Sequence, residues 1–310
     1  MITILLATYN GEEYLKEQLE SLFSQTHEFF RIIVRDDMST DSTLEILKSY
    51  DLEIMPSNEN IGAKCSFYAL LDYALQNGDS NYFMFCDQDD IWNKEKIKIT
   101  LQKMQEVEKG FPSKPVLIHS DLKVVDEELK IIDKSFWNYE FILPQYNSLN
   151  RLIIQNTITG CTMMINRKLA KISLPIHENY IMHDWWLGLV ASKFGKINYI
   201  EEATIEYRQH GKNTIGAKGF SVNILRHIAG IFKSIIFRDN ECIIHMRINI
   251  MQAKAFLDIY RDKLDQETIQ MLEEFTTIES KPFWQKRKIL LKYKLLKQGF
   301  IRNVGLLVKI

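Results

Sequence analysis

Residues 1–37 have the sequence MITILLATYNGEEYLKEQLESLFSQTHEFFRIIVRDD, and this stretch decides the fold. The run MITILLATY predicts a buried strand. Residues 12–25 place Leu15, Leu19 and Leu22 on one helical face, and RIIVR at 31–35 predicts a second strand. Strand, helix and strand in this order predict a βαβ unit with parallel strands.

The same alternation continues beyond this first unit. A short helix from Ser42, a strand near 52–55, a helix from Lys64 and the strand YFMFC at 82–86 follow in turn. Crossover connections place helices on both faces of such a sheet. The sequence therefore predicts an α/β fold with a Rossmann-like, mostly parallel sheet flanked by helices.

Polar residues follow three of the predicted strands, at 8–11, 36–41 and 87–90. Ligands of open sheets bind beyond the carboxyl ends of the strands, so these turns should meet at one edge. The turn DQDD at 87–90 crowds three carboxylates, which a divalent cation such as Mg²⁺ would neutralise. The alternative is a solvated turn in which Asp90 caps the helix that begins near Lys94. An EF-hand is excluded because its Gly and terminal Glu are absent.

Composition and charge exclude other classes of protein. The chain has 310 residues, 46% hydrophobic and 25% charged, as expected for a globular protein with a full core. The formal net charge of −1 gives no signal for nucleic acid. Residues 281–310 contain nine Lys or Arg and no Asp or Glu, so the rest of the chain carries about −10.

The cysteines and the N-terminal residues predict a cytoplasmic protein. The four cysteines have no metal-type spacing, and Cys86 and Cys161 lie in apolar runs that suggest buried thiols. The run MITILLATYN has no basic region and is too short for a signal peptide. No window approaches the roughly 18 uncharged apolar residues of a membrane-spanning helix.

Six segments together resemble family 2 glycosyltransferases with the GT-A fold. Three are ATYNG at 7–11, RDDMSTD at 35–41 and CDQDDIW at 86–92. The others are TGCTMMINR at 159–167, HDWWLGLVASKFG at 183–195 and YRQHGKNTIGA at 207–217. The resemblance covers roughly the first 217 residues and is strongest toward bacterial rhamnosyltransferases of cell-wall and capsule polysaccharide assembly. It implies a catalytic domain over residues 1–217 and a helical, basic region over 218–310.

The resemblance implies a nucleotide site and a metal site on the strand-end residues. Tyr9, with Thr8 beside it, matches the position that stacks on the nucleotide base, and Asp37 matches the one that hydrogen-bonds the base. A simple turn cap is the alternative for Asp37. Asp89 matches the carboxylate that coordinates Mg²⁺ or Mn²⁺, and Asp87 would contact ribose, the metal or a metal-bound water.

Asp184 matches the general base of the family, which deprotonates the acceptor hydroxyl as that oxygen attacks the anomeric carbon. Its neighbours Trp185 and Trp186 would form the apolar wall that a sugar face needs, and they could raise the pKa of the carboxylate. The alternative is an N-cap Asp on a helix whose apolar residues are mostly core. From the residues alone these two interpretations are about equal.

The segment around 208–213 resembles the diphosphate-binding loop of the family. Arg208, His210 and Asn213, together with Lys212, would stabilise the charge of the departing nucleoside diphosphate. His210 is expected to ligate the metal or to hydrogen-bond a phosphate, and the sequence does not choose between them. A solvated basic loop is the alternative.

The region beyond Ala217 predicts helices that combine apolar residues with Lys and Arg. This composition is typical of helices that lie on an anionic membrane surface, and packing against the core or a homodimer partner is the alternative. The protein would then be cytoplasmic, or peripheral on the inner face of the plasma membrane. Nucleic acid is excluded as a partner because no aromatic-interleaved recognition motif accompanies the charge.

The sequence as a whole predicts an inverting, metal-dependent glycosyltransferase. By resemblance the donor is dTDP-L-rhamnose and the acceptor is a lipid-linked polysaccharide. A UDP-hexose donor is the alternative within the same fold. The alternative from another class is a nucleotide-sugar-binding module without turnover, and the candidate base Asp184 argues against it. A nucleotidyltransferase is excluded because ATYNGEEYL lacks a Gly-rich phosphate loop bearing Lys or Arg.

Overall fold

The computed structural model describes residues 1–176, 178–211, 217 and 241–310, with the side chains of 241–243 excepted. Its strands are β1 Ile2–Thr8, β2 Phe30–Asp36, β3 Glu53–Ile54, β4 Tyr82–Cys86, β5 Ile91–Trp92, β6 Val116–Val125, β7 Ile131–Asp133, β8 Met164–Asn166 and β9 Lys196–Arg208. Its helices are α1 Leu15–Phe23, α2 Thr43–Lys48, α3 Gly62–Gln76, α4 Lys96–Gly110, α5 Phe136–Glu140, α6 Leu149–Leu152, α7 Arg167–Ser173, α8 His183–Phe194, α9 Glu241–Tyr260, α10 Gln266–Thr276, α11 Phe283–Lys292 and α12 Phe300–Lys309.

The described strands form one mixed sheet in the order β3-β2-β1-β4-β8-β6-β9-β5, with β7 paired to β6. Pairing is parallel across β3-β2-β1-β4 and between β6 and β9. Strand β8 lies between β4 and β6 and is antiparallel to both. The predicted α/β class is confirmed, with helices flanking the sheet and further helices at the C-terminal end. The parallel strands β1 to β4 are those that the βαβ alternation of the N-terminal sequence predicts.

The side chains of each strand alternate between two hydrophobic clusters, one on each face of the sheet. Leu5 belongs to one cluster, and Ile4 and Leu6 belong to the other. Helix α1 covers the second face with Leu15, Leu19 and Leu22, as its spacing predicts. Both faces are therefore buried, which explains why the strands consist of nearly continuous apolar residues.

The C-terminal helices pack into the cluster that contains Leu5. Phe256 and Tyr260 of α9 contact the indole of Trp186, with ring centroids 5.9 and 6.1 Å apart. Residues of α10 and α11, including Phe275 and Leu290, complete the same cluster. Among the residues that the structure describes, no helix combines the length and apolar character needed to cross a membrane.

Candidate active site

Strands β1, β2 and β4 end side by side, and their polar turns lie at one edge of the sheet. Thr8 of β1 is paired in register with Asp36 of β2, and Leu6 is paired with Cys86 of β4. The turns at 9–11, 37–41 and 87–90 therefore leave the sheet at neighbouring points. The structure brings these predicted site residues together.

Thr8 and Asp36 connect the first two turns through buried hydrogen bonds. The Thr8 hydroxyl donates to Asp36 Oδ1 at 2.9 Å, and the Ser39 N–H donates to Asp36 Oδ2 at 2.9 Å. Thr8 is only 2% exposed. Its side chain thus supports the turn, and the predicted contact of Thr8 with a nucleotide is at odds with this burial.

Asp37 and Tyr9 differ in how accessible they are. The carboxylate of Asp37 is buried and accepts from the N–H groups of Ile61 and Gly62 at 2.8 and 2.7 Å, and from Arg35. Burial acts to raise the pKa of Asp37, but these donors outweigh it and hold the pKa below its ordinary value. This is the geometry of a cap at the start of α3, so the contact of Asp37 with the base stays a prediction. The ring of Tyr9 is 49% exposed and accessible for stacking.

Asp90 does not cap the following helix, contrary to the sequence prediction. It is fully buried, and its Oδ1 accepts from the Arg208 N–H at 3.2 Å. Helix α4 begins at Lys96, after Glu95, which makes no side-chain cap bond. Oxygens of Asp87 and Asp90 and the Cys161 sulfur all lie within 4.8 Å of one another. Cys161 comes from the TGC segment, so the sequence pattern could have indicated its position near the turn but not this contact.

This crowding changes the proton affinity of the carboxylates. Burial, followed by the charges of Asp89 and Asp184, raises the pKa of Asp87 to about 7. Burial and the charges of Asp89 and Asp87 likewise raise the pKa of Asp90 well above its ordinary value. Carboxylates in this arrangement fit a hard divalent cation, because the cation stabilises their ionised forms and prefers oxygen ligands.

A buried lysine, which the sequence did not indicate, lies beneath the turn at residues 87–90, called the carboxylate turn below. Lys96 has no exposed surface, and its Nζ donates to the Thr162 carbonyl at 3.3 Å and to Thr204 Oγ1 at 3.4 Å. It also lies 4.7 Å above the centre of the Trp92 ring. Burial lowers the pKa of Lys96 to about 8, and the charge of Asp90 opposes this shift. Lys96 thus brings positive charge to a buried region that holds several acids.

Arg208 supports the carboxylate turn with a guanidinium group that is itself buried. Its Nε donates to the Asp89 carbonyl at 3.0 Å, Nη1 donates to the Glu127 carbonyl at 2.7 Å, and Nη2 pairs with Glu17. The guanidinium carbon lies 4.5 Å from the centre of the Tyr14 ring. These contacts give Arg208 a structural role, in contrast to the predicted direct contact with a diphosphate. Glu17 and Tyr14 carry no motif that would have indicated this role.

His210 lies against the carboxylate that is predicted to bind the metal. Its Nε2 is 2.9 Å from Asp89 Oδ2, and its ring lies 4.8 Å from the Tyr14 ring. The imidazole and this carboxylate therefore present adjacent potential ligand atoms. Lys212 and Asn213, which were predicted to bind the diphosphate, lie outside the described residues.

Asp184 is the second residue of α8, so it is not the N-cap of that helix. Its Oδ1 accepts from the Trp185 N–H at 2.7 Å, and its Oδ2 accepts from Asn156 Nδ2 at 3.0 Å. Burial raises the pKa of Asp184 to about 6, although these two donors lower it. The ring of the preceding residue, His183, lies 5.0 Å from the ring of Phe85 in β4, so Asp184 lies close to the strand that carries Asp87. The charge of Asp184 contributes to the raised pKa of Asp87. Asn156 is a supporting residue that no motif indicated.

The two tryptophans after Asp184 point in different directions. Trp185 keeps some exposed surface, and its indole N–H donates to the Leu152 carbonyl. Trp186 has no exposed surface, and its indole N–H donates to the Ser173 carbonyl at 3.2 Å within the core. The predicted contact of Trp186 with the acceptor sugar is therefore wrong for this structure. The contact of Trp185 with a sugar stays a prediction.

Comparison with known proteins decides the family. The family model described as "Glycosyl transferase family 2" matches residues 3–172, which is more than half of the chain. The chain is a family 2 glycosyltransferase. The predicted membership of this family is thereby confirmed.

Two bacterial proteins are among the relatives of this glycosyltransferase. The dTDP-rhamnosyl transferase RfbG of Shigella flexneri is 32% identical over 221 residues, 68% of this chain and 74% of the relative. TuaG of Bacillus subtilis, named for teichuronic acid biosynthesis, is 26% identical over 226 residues, 67% of this chain and 79% of the relative.

A solved structure supports the fold of the glycosyltransferase over nearly its whole length. Residues 1–349 of S. aureus TarS, solved in complex with UDP-GlcNAc, align with a TM-score of 0.54 and 18% identity. The alignment covers 99% of this chain and 88% of the TarS chain. At this identity the likeness concerns the fold alone.

Proposed function

We propose that the protein transfers L-rhamnose from dTDP-L-rhamnose to a lipid-linked polysaccharide acceptor, with inversion at the anomeric carbon. The observation that carries the proposal is the partly buried carboxylate of Asp184, oriented by Asn156 near the carboxylate turn. Family membership supports sugar transfer, and the name of the 32% identical relative supports the donor.

Asp184 has the chemistry that a general base requires. Its raised pKa of about 6 leaves it ionised at neutral pH and makes it a stronger proton acceptor than an ordinary Asp. In the proposed step Asp184 takes the proton of the acceptor hydroxyl, and the acceptor oxygen forms a bond to the anomeric carbon. The bond from that carbon to the diphosphate oxygen breaks, and the nucleoside diphosphate leaves with the electron pair. A single displacement of this kind inverts the configuration.

Asp89, Asp87 and His210 would hold a divalent cation, Mg²⁺ or Mn²⁺. The fit rests on the donors that lie together: Asp89 Oδ2 is 2.9 Å from His210 Nε2, and the charge of Asp89 raises the pKa of Asp87. Carboxylate oxygens suit both ions. When bound, the cation supplies positive charge that stabilises the departing diphosphate. Lys96 and Arg208 help to keep the carboxylates of the turn in place beneath the donor.

The donor is tested by the stabilisation that each nucleotide gives to the purified protein. A ligand that binds only the folded state adds about 2.7 kcal/mol at 100 times its Kd, so melting curves rank dTDP, UDP and GDP with Mg²⁺ or Mn²⁺. We expect dTDP to raise the melting temperature most. If UDP raises the melting temperature and dTDP does not, the UDP-hexose donor is favoured instead. Release of rhamnose from dTDP-rhamnose would identify an enzyme, whereas binding without release would identify a binding module.

The basic C-terminal region supports the proposal of a lipid-linked acceptor at an anionic membrane surface. On α11, Trp284, Lys288 and Leu291 are exposed at helical spacing on one face, with Trp284 79% exposed. Phe300 at the start of α12 is 84% exposed. An apolar stripe flanked by lysines, in a region without acids, matches the chemistry of an anionic lipid interface.

We expect the protein to cosediment with vesicles that contain phosphatidylglycerol, and less with neutral phosphatidylcholine vesicles. The double change Trp284→Ala and Leu291→Ala should weaken this partition about tenfold or more, because it removes two apolar anchors. Phe29→Ala is the matched control, since Phe29 is 77% exposed but lies outside the basic region. Two results together would favour the homodimer alternative. The double variant would bind vesicles as well as the unsubstituted protein does, and the same two changes would dissociate a dimer in solution.

A further inference from the structure

One side chain, Gln88, joins the turn after β1 to the turn after β4. The Tyr9 N–H donates to Gln88 Oε1 at 2.8 Å, and Gln88 Nε2 donates to the Tyr9 carbonyl oxygen at 3.1 Å. The carboxamide thus pairs with both main-chain groups of one residue, as a neighbouring strand would. Gln88 lies between Asp87 and Asp89 in the chain, so this contact connects the carboxylates directly to Tyr9.

The glycine at position 11 leaves the space that this contact occupies. A Cβ at Gly11 would lie 2.4 Å from Gln88 Oε1 and 2.6 Å from Gln88 Cδ, closer than non-bonded atoms approach. Gly11 does not have a positive φ, so its backbone conformation does not require a glycine. The Gln88 carboxamide therefore gives this position a steric reason to be glycine.

We propose that Gln88 is a positioning residue that couples nucleotide binding to metal binding. The inference rests on the proposed function, in which Tyr9 stacks on the base and Asp89 binds the metal. Because two hydrogen bonds fix the Tyr9 main chain to the carboxylate turn, a cation that orders the turn also orders Tyr9. Each ligand then raises the affinity for the other, as reciprocal coupling requires.

The test measures the coupling itself. Nucleotide affinity is determined by calorimetry with dTDP, UDP and GDP, once with Mn²⁺ and once with EDTA, and the ratio of the two Kd values is the coupling. Gln88→Met keeps the length of the side chain and removes both hydrogen bonds. We expect the coupling ratio to fall about 5- to 100-fold, because the loss of two hydrogen bonds corresponds to a change of about this size. The nucleotide Kd measured in EDTA should change less than the Kd measured in Mn²⁺.

The chain offers a closely matched control in Gln298. Its Oε1 accepts from the Leu143 N–H at 2.7 Å and its Nε2 donates to the Leu143 carbonyl at 3.1 Å, which is the same paired contact. Gln298→Met should lower the melting temperature and leave the coupling ratio unchanged. A loss of coupling in both variants would show a general effect of stability and would overturn the inference.

Gly11→Ala gives a second test that does not depend on how Gln88→Met folds. The added methyl group should displace the Gln88 carboxamide and reduce the coupling, and this effect should largely vanish when Gln88 is already Ala. The inference would be overturned, and the proposed function left standing, by either of two results. One is a coupling ratio in Gln88→Met equal to that of the unsubstituted protein, and the other is that Gly11→Ala and Gln88→Ala change the ratio additively. If the unsubstituted protein binds none of the three nucleotides, the proposed function fails and the inference fails with it.

Discussion

Replacement of Asp184 by Asn should lower turnover by about 10² to 10⁴ while nucleotide-sugar affinity stays near that of the unsubstituted protein. Proton removal from the acceptor contributes in the transition state and little to donor binding, so the two quantities separate at this residue. Asn keeps the shape of Asp and can still accept from the Trp185 N–H, so the start of α8 should persist, although its amide nitrogen no longer accepts from Asn156 Nδ2.

The pH dependence of turnover provides an independent check on Asp184. A general base must be ionised, and the pKa of Asp184 lies at about 6, so turnover of the unsubstituted protein should rise as pH increases through 6. In saturating Mn²⁺, which would keep Asp87 ionised although its pKa is about 7 without metal, this rise should be absent in Asp184→Asn. Near-normal transfer by the variant would show that Asp184 serves only the helix.

Asp265 is the matched control for this experiment. It is the N-cap of α10, its side chain accepts from the Thr268 N–H at 2.9 Å, and it lies outside the candidate site. Asp265→Asn should cost a small part of the stability and leave turnover unchanged. If Asp184→Asn lowers the melting temperature far more than Asp265→Asn does, its lost turnover reports on structure and not on base catalysis.

Replacement of Asp89 by Ala should remove the part of nucleotide affinity that depends on a divalent cation. Loss of residues that merely orient metal ligands typically costs 10- to 100-fold in metal affinity, so loss of a ligand should cost about 10²-fold or more. Nucleotide affinity of the variant in Mn²⁺ should then equal its affinity in EDTA. The fold should persist, because the Asp89 side chain lies on a turn and keeps some exposure.

Asp126→Ala controls for the loss of a turn carboxylate. Asp126 accepts from the N–H groups of Glu128 and Lys130 in the turn between β6 and β7, and it is not part of the candidate site. This variant should retain the effect of Mn²⁺ on nucleotide affinity. Full metal-dependent turnover in Asp89→Ala would remove Asp89 from the metal site.

The parts of this structure that sequence predicts well are those set by local periodicity. Leu15, Leu19 and Leu22 fix the buried face of α1, and the parallel strands carry the polar turns to one edge. Trp186 shows a local rule that the sequence prediction neglected. Adjacent residues of a helix point about 100° apart, so Trp185 and Trp186 cannot both face the same site.

The remaining errors concern partners that are distant in the chain. The burial of Asp90 depends on the Arg208 N–H, which lies 118 positions away, and on Lys96 beneath the turn. Nothing in DQDD indicates which of its carboxylates turns inward. The resemblance of residues 208–213 to a diphosphate-binding loop predicts a phosphate contact for Arg208, whereas its guanidinium group contacts Glu17 and Tyr14 on and beside α1.

The contact of Trp186 with Phe256 and Tyr260 has a consequence for how the chain is made. At 5 to 20 residues per second, ribosomes need about 4 to 14 seconds to add the seventy or so residues that separate these partners. During that interval the nascent chain exposes the indole and the apolar surface around it. Transiently exposed apolar surface of this kind makes a chain prone to aggregate, so binding by a chaperone during this interval would protect it.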